Sequence, residues 1–212
     1  MVTTDKKQLL DELKTQMEND STLPLKAGAT RLVFGVGNPD SDIVCIGEGP
    51  GYWEDQKGIP FVGNAGKLLD QLLSSINLDR AKVYITNVVH HRPPENRDPE
   101  QSEIDAYGKY LDELLGIIDP KIILTLGRFS MAKFLPSARI SSVHGSTQSL
   151  SWNGKIILVV PMYHPAAALR NGEVMRQERA DFLKLGETLA KLKTQSNNEV
   201  TKDSKGEQLN LI

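Results

Sequence analysis

A single cysteine, Cys45, stands among 212 residues. One thiol forms no internal disulfide and cannot furnish a cysteine-only metal or iron–sulfur site. Long apolar runs are missing as well; none approaches the ~18 consecutive apolar residues of a membrane span. Nor is there a basic excess, since 25 Lys and Arg stand against 27 Asp and Glu, a net charge of −2. That disfavours a non-specific nucleic-acid coat but leaves room for one local basic patch. The N-terminal stretch MVTTDKKQLLDELKTQ mixes charges of both signs where a secretory leader would be apolar. A cytoplasmic protein off the membrane is expected, and a monomer. Neither GxGxxG nor a Walker loop occurs, so the fingerprints of dinucleotide and nucleoside-triphosphate sites are absent. No internal repeat is visible.

What is present is a βα rhythm. Leu9, Leu10, Leu13 and Met17 recur at helical spacing over 3–19. Residues 20–41, with Pro24, Pro39 and several glycines, read as an irregular connection carrying a short strand near 31–34. Four apolar runs follow as strands: 42–48 (DIVCIGE), 83–89 (VYITNVV), 121–127 (KIILTLG) and 155–160 (KIILVV). Helices are expected over 65–76 with Asn64 as N-cap, over 100–118 and over 128–135, with a closing helix over 173–193. The strands are apolar on both faces, as a parallel sheet covered on both sides requires. The expected fold is therefore α/β, a three-layer α/β/α sandwich with a central four-stranded, mostly parallel sheet, filling 1–193. Residues 194–207 are polar, lack aromatics and open an expected flexible tail over 194–212.

Open parallel sheets bind ligands at the carboxyl ends of their strands, and the informative residues gather there. Gly47-Glu48-Gly49-Pro50-Gly51 ends the first strand. Asn87 lies in the second, which runs into a proline-rich loop. Gly127 ends the third, and His164-Pro165 follows the fourth. Three stretches taken together, GEGPGYWEDQKGIPFVGNAGKLLD (47–70), YITNVVHHRPPENRDP (84–99) and YHPAAALR (163–170), resemble the family 4 uracil-DNA glycosylases. The resemblance runs in order and spacing through residues 20–190. It implies hydrolysis of the N-glycosidic bond of deoxyuridine in DNA, after the base has flipped out of the stack. Uracil and an abasic site would be the products, and no cofactor would be needed.

The resemblance also implies roles. Phe61 would stack on the flipped base; the alternative is a core ring. Asn87 would read it, because an amide can donate to O4 and accept from N3–H, a pattern that cytosine inverts. The alternative is a turn-capping asparagine. His164 would donate to O2 and stabilise the departing anion, assisted by the backbone N–H groups of Glu48 and Gly49, with Gly47 beside them in the pocket. Its alternative is a structural histidine, a role that suits His144 better. Glu54 would fill the space beside the uracil C5 edge that thymine's methyl needs, or be a solvated loop carboxylate. Asn96 would position the attacking water. A related branch that crosslinks itself to DNA has a histidine at that place, so an amide implies turnover; His90 and His91 are the nearby alternatives. Arg92, Arg97 and Arg170 form a local basic set for the DNA backbone. Ala168 stands where the family usually has a leucine wedge, which leaves Leu169 as the bulky candidate, and Asn64 stands where arginine is frequent.

Most members of the family carry a four-cysteine iron–sulfur cluster. Its ligand places fall here on Asp20, Leu23, His91 and Tyr107, none of them a thiolate, so no cluster is expected. Asp20 and His91 alone are too few for zinc. The last residues, Gln208-Leu209-Asn210-Leu211-Ile212, resemble the short bacterial sliding-clamp-binding peptide, chance being the alternative. Three rival functions stay open. They are a non-turnover or covalent uracil-DNA binder, a glycosylase of the same superfamily for another damaged base, and a small-molecule hydrolase, although no Ser-His-Asp ordering or metal spacing supports the last.

Overall fold

The computed structural model describes residues 5–206. Six strands form one sheet: β1 (Val36–Gly37), β2 (Ile43–Gly47), β3 (Tyr84–Asn87), β4 (Ile122–Leu126), β5 (Gln148–Trp152) and β6 (Lys155–Met162). Their spatial order is β1-β3-β2-β4-β6-β5. The inner four are the runs expected as strands, and they pair in parallel. β1 and β5 add antiparallel edges, which corrects the expected four strands to six. β1 is two exposed residues, too short for a periodic signature, and it lies just beyond the strand expected at 31–34. β5 carries polar residues on its exposed side. Its missed signal was Asn153-Gly154, where both residues have positive φ (48° and 78°), as a two-residue hairpin turn into β6 requires.

Eight helices flank the sheet among the described residues: α1 (Lys6–Asn19), α2 (Tyr52–Lys57), α3 (Asn64–Ser75), α4 (Gln101–Ile118), α5 (Arg128–Phe134), α6 (Ile140–Val143), α7 (Pro165–Ala168) and α8 (Gly172–Gly206). Alternate strand residues enter opposite cores, as the two-residue period of a strand dictates. Val44, Ile46 and Tyr84 pack with Leu13 and Met17 of α1 and Leu111 and Leu114 of α4. Ile43, Cys45 and Ile85 pack with Leu69 and Leu73 of α3 and Phe182 of α8. Three layers result.

Two helix ends differ from expectation. Gly63, not Asn64, is the N-cap of α3, and no side chain caps it. α8 continues past 193 to Gly206; residues 187–205 contain neither glycine nor proline, so nothing in the backbone stops the helix. Gln208–Ile212 lies outside the described residues. No helix among the described residues is long and apolar enough to cross a membrane. The chain passes from β2 to β3 on one side and returns to β4 on the other. Loops therefore diverge at the carboxyl end of β2, where a crevice forms.

Candidate active site

A cleft of about 360 Å³ opens there, walled by the segments that follow β2, β3 and β6. Of the expected residues it gathers Glu48, Gly49, Glu54, Phe61, Asn87 and Asn96, with Arg97, His164 and Arg170. Asn87 closes β3 and is only 1% exposed. Its Oδ1 has no hydrogen-bond partner among the described residues. An unpaired buried acceptor costs ~1–3 kcal/mol, so this one marks a place for a donor. Gly47 lies alongside. A Cβ there would stand 2.4 Å from Asn87 Oδ1 and 2.7 Å from Phe61 Cε2, so only glycine lets the amide and the ring approach so closely.

Phe61 has φ of 53°, a left-handed conformation that an aromatic residue rarely adopts. Two side chains hold it. Arg80 Nη1 donates to the Phe61 carbonyl at 3.0 Å and to Asp70 Oδ1 at 3.0 Å, and its Nη2 donates to the Pro60 carbonyl. Glu54 Oε1 accepts from the Val62 and Gly63 N–H groups, each at 2.8 Å. Glu54 is therefore not a solvated carboxylate; it lines the cleft and pins the Phe61 turn together. The buried Phe61 ring stacks against the His164 ring, with centroids 5.7 Å apart and planes 27° off parallel.

His164 is the N-cap of α7, and its Nδ1 accepts from the Ala166 N–H at 3.1 Å. An accepting Nδ1 carries no proton, so the neutral ring carries it on Nε2. Burial, with the charge of Arg170, lowers its pKa to about 4. The ring is thus a neutral donor near pH 7. Glu48 Oε1 accepts from the Phe129 N–H at 3.1 Å, and burial raises its carboxyl above the usual range. The Gly47 and Glu48 carbonyls accept from Val88 and Val89 at 3.0 and 3.3 Å, tying the 47–51 loop to the chain after β3.

At the outer rim, Asn96 Oδ1 accepts from Arg92 Nε at 2.7 Å, keeping a second lone pair and the amide donors. Arg97 grips Glu103 with Nη1 at 2.8 Å and Nη2 at 2.6 Å. This pairing clasps the proline-rich loop to α4, and Arg97 still lines the cleft. Arg170 is exposed at the cleft mouth. Leu169, the expected wedge residue, is 48% exposed, and Ala168 is buried.

His90 and His91 are buried outside the cleft. Thr86 Oγ1 donates to the Phe34 carbonyl and so accepts from His90 Nε2 at 3.1 Å. His91 Nδ1 pairs with the Tyr107 hydroxyl at 2.7 Å. Burial lowers their pKa values to about 3 and about 4. His144 is bound to Asp181 through Nδ1 at 2.6 Å, a structural arrangement. Sequence reasoning missed Arg80, which carries no motif signal, and the exposed Tyr52-Trp53 pair. The signal of that pair was two adjacent aromatics in a glycine-rich polar loop.

The iron–sulfur cluster implied by the resemblance does not fit these residues. Asp20 accepts from the Thr22 hydroxyl and N–H, from the Tyr110 hydroxyl at 2.7 Å and from Lys109 Nζ at 3.0 Å. These bonds, that of the Thr22 hydroxyl foremost, hold its carboxyl well below the usual range. Leu23 and Tyr107 are packed into the α1–α4 core. Cys45 lies on the other face of the sheet, its thiol pushed up to about 12 by burial. Among the described residues no group of three or more His, Cys, Asp or Glu could hold a metal ion.

Comparison with known proteins agrees with this geometry. A profile described as the Uracil DNA glycosylase superfamily matches residues 34–189. The Type-4 uracil-DNA glycosylase of Archaeoglobus fulgidus is 43% identical over 188 residues, 86% of this chain and 94% of its own length. That of Sulfurisphaera tokodaii is 44% identical over 185 residues, 84% of each chain. That of Saccharolobus solfataricus is 45% identical over 164 residues, 74% of this chain and 76% of its own.

Proposed function

This chain belongs to the uracil DNA glycosylase superfamily, and on that premise we propose that it hydrolyses the N-glycosidic bond of uracil in DNA. The observation that carries the reading is the unpartnered Asn87 Oδ1 at the floor of the cleft. Uracil N3–H supplies the missing donor, and the amide nitrogen donates to O4. Cytosine offers an acceptor and a donor at those two positions and leaves both pairs mismatched.

Phe61 stacks on the extruded base, on a ring already held by Arg80 and Glu54. As the C1′–N1 bond breaks, its electron pair passes to uracil and the sugar takes on oxocarbenium character. His164 Nε2–H donates to O2, where the negative charge develops. A neutral donor in a water-poor site stabilises that charge without reorganising. Water held at Asn96 forms the new bond to C1′ and releases its proton to solvent, leaving an abasic site. The Glu48 and Gly49 N–H groups assist at the leaving group. Among the described residues His164 is the one histidine in the cleft, and Asn96 is a poor nucleophile. Both support turnover over a covalent adduct.

Multiple-turnover assay of a uracil-containing oligonucleotide on denaturing gels, with and without alkali, tests this. Alkali-dependent strand cleavage exceeding one event per enzyme is expected. A shifted covalent band, or excision of hypoxanthine, xanthine or mispaired thymine in preference to uracil, would replace the reading with one of its rivals. As to partners and state, the protein acts as a cytoplasmic monomer, and Gln208–Ile212 tethers it to a sliding clamp, raising its local concentration at replicating DNA. Deleting 208–212 should abolish clamp binding and leave cleavage intact; unchanged clamp affinity refutes the tether.

A further inference from the structure

Beside the cleft, α2 carries a feature that uracil recognition leaves unused. Tyr52 and Trp53 are 49% and 58% exposed, the only aromatic rings so exposed among the described residues. They sit between Gly51 and Glu54, both of which line the cleft. The rings meet edge to face, with centroids 5.2 Å apart and planes at 79°. They therefore form a corner and not a flat apolar patch. The Arg92 guanidinium lies 5.3 Å from the Tyr52 ring centroid, and its Nε is anchored on Asn96 at the cleft mouth. Aromatic faces, a cation and a nucleotide pocket in continuity are the composition of a surface for single-stranded nucleic acid.

We propose that Tyr52 and Trp53 are a stacking platform for unpaired nucleobases flanking the extruded uridine, so that single-stranded or locally melted DNA is the preferred substrate. This rests on the uracil-excision reading. In a duplex the flanking bases are paired and stacked on their neighbours, so their faces are covered. In a single strand those faces are free, and every base has one to offer. Arg92 meets the phosphate between the stacked base and the uridine. At the α7 end, Leu169 is the one large exposed apolar side chain, since Ala166, Ala167 and Ala168 precede it. The provision for unpaired bases thus exceeds the provision for holding a duplex stack open.

The test compares uracil release from one oligonucleotide, free and annealed as U·A and U·G duplexes, by the full-length protein and its Tyr52→Ala, Trp53→Ala and Trp53→Phe variants. The native protein should show a higher kcat/KM on the single strand. Trp53→Ala should raise the single-strand KM on the order of tenfold, with kcat changed less than about twofold and a much smaller change on duplexes. Trp53→Phe should restore most of the affinity. Equal losses on all substrates, or a loss confined to kcat, would overturn the platform in favour of a role in shaping the Glu54 turn. A second readout does not depend on catalysis. Quenching of Trp fluorescence by a uracil-free single strand should be present in the native protein and lost in Trp53→Ala. Absence of quenching rejects the platform even where excision is intact, and quenching without excision rejects the excision reading alone.

Discussion

The proton on His164 Nε2 is set by a single backbone contact, the Ala166 N–H on Nδ1. Removing the side chain with His164→Ala should lower kcat on the order of 10²–10³-fold, as loss of one donor to a developing oxyanion does; near-native turnover would remove His164 from the mechanism. Its pKa of about 4 also has a kinetic consequence. The ring is neutral throughout pH 5–8, so the kcat profile should lack an inflection near the ordinary histidine value of ~6.5. Such an inflection, abolished in His164→Gln, would show the proton to be elsewhere. At Asn87 the orphaned acceptor is the atom proposed to discriminate between bases. Asn87→Ala should depress uracil cleavage by orders of magnitude, and Asn87→Asp should admit cytosine, since a carboxyl can accept from its exocyclic amine. Release of no cytosine by the aspartate variant would count against the base-reading role.

At the scale of elements, the turn joining α2 to α3 determines where Phe61 stands. A Cβ on Gly66 would lie 1.8 Å from the Phe61 carbonyl oxygen, so α3 can begin only by passing close under this turn. Gly66→Ala should displace the ring and destabilise the fold by ~1–3 kcal/mol, seen as a lower Tm together with a raised KM. Glu54 and Arg80 grip the turn from opposite sides. If Glu54 acts by positioning, Glu54→Ala and Arg80→Ala should both raise KM and neither should release thymine. Thymine release by Glu54→Ala alone would show instead that its carboxylate excludes the 5-methyl group.

At the scale of the molecule, buried titratable groups shape the pH dependence of stability. Glu178 is fully buried and neither carboxylate oxygen has a partner among the described residues. Burial, with Asp181 nearby, raises its pKa to about 8 from an ordinary 4.5. The folded protein keeps a proton that the unfolded chain releases, so this contribution is complete below pH 4.5 and is lost as pH rises through 8. His90 and His91 act in the opposite direction. With folded values near 3 and 4 against 6.5, the unfolded chain takes up protons that the folded one refuses. Stability therefore falls as pH drops below 6.5. Glu178→Gln should raise Tm relative to the native protein more at pH 8 than at pH 5. A difference independent of pH would mean that the carboxyl is not protonated in the fold.

Much of this architecture was legible in the chain because its information is local. Short, β-branched apolar runs such as KIILTLG read as covered strands, and their alternation with amphipathic helices points to a parallel sheet with its ligand site at the strand ends. The motif stretches likewise singled out Asn87, Phe61 and His164, which the fold brings to one cleft. The edge strands escaped because a two-residue bridge has no period, and because the turn that announced β5 lies in a polar stretch. Contacts between segments distant in the chain were decided only by the tertiary structure. The pairing of Arg97 with Glu103 could not be read without the path of the proline-rich loop, nor that of Arg80 with the Phe61 carbonyl without the packing of α3. Likewise, a single cysteine excluded a four-cysteine cluster from the sequence alone. Only the fold shows that Tyr107, Leu23 and a hydrogen-bonded Asp20 fill its place, because side chains far apart in the chain must meet before a hole can be seen to be filled.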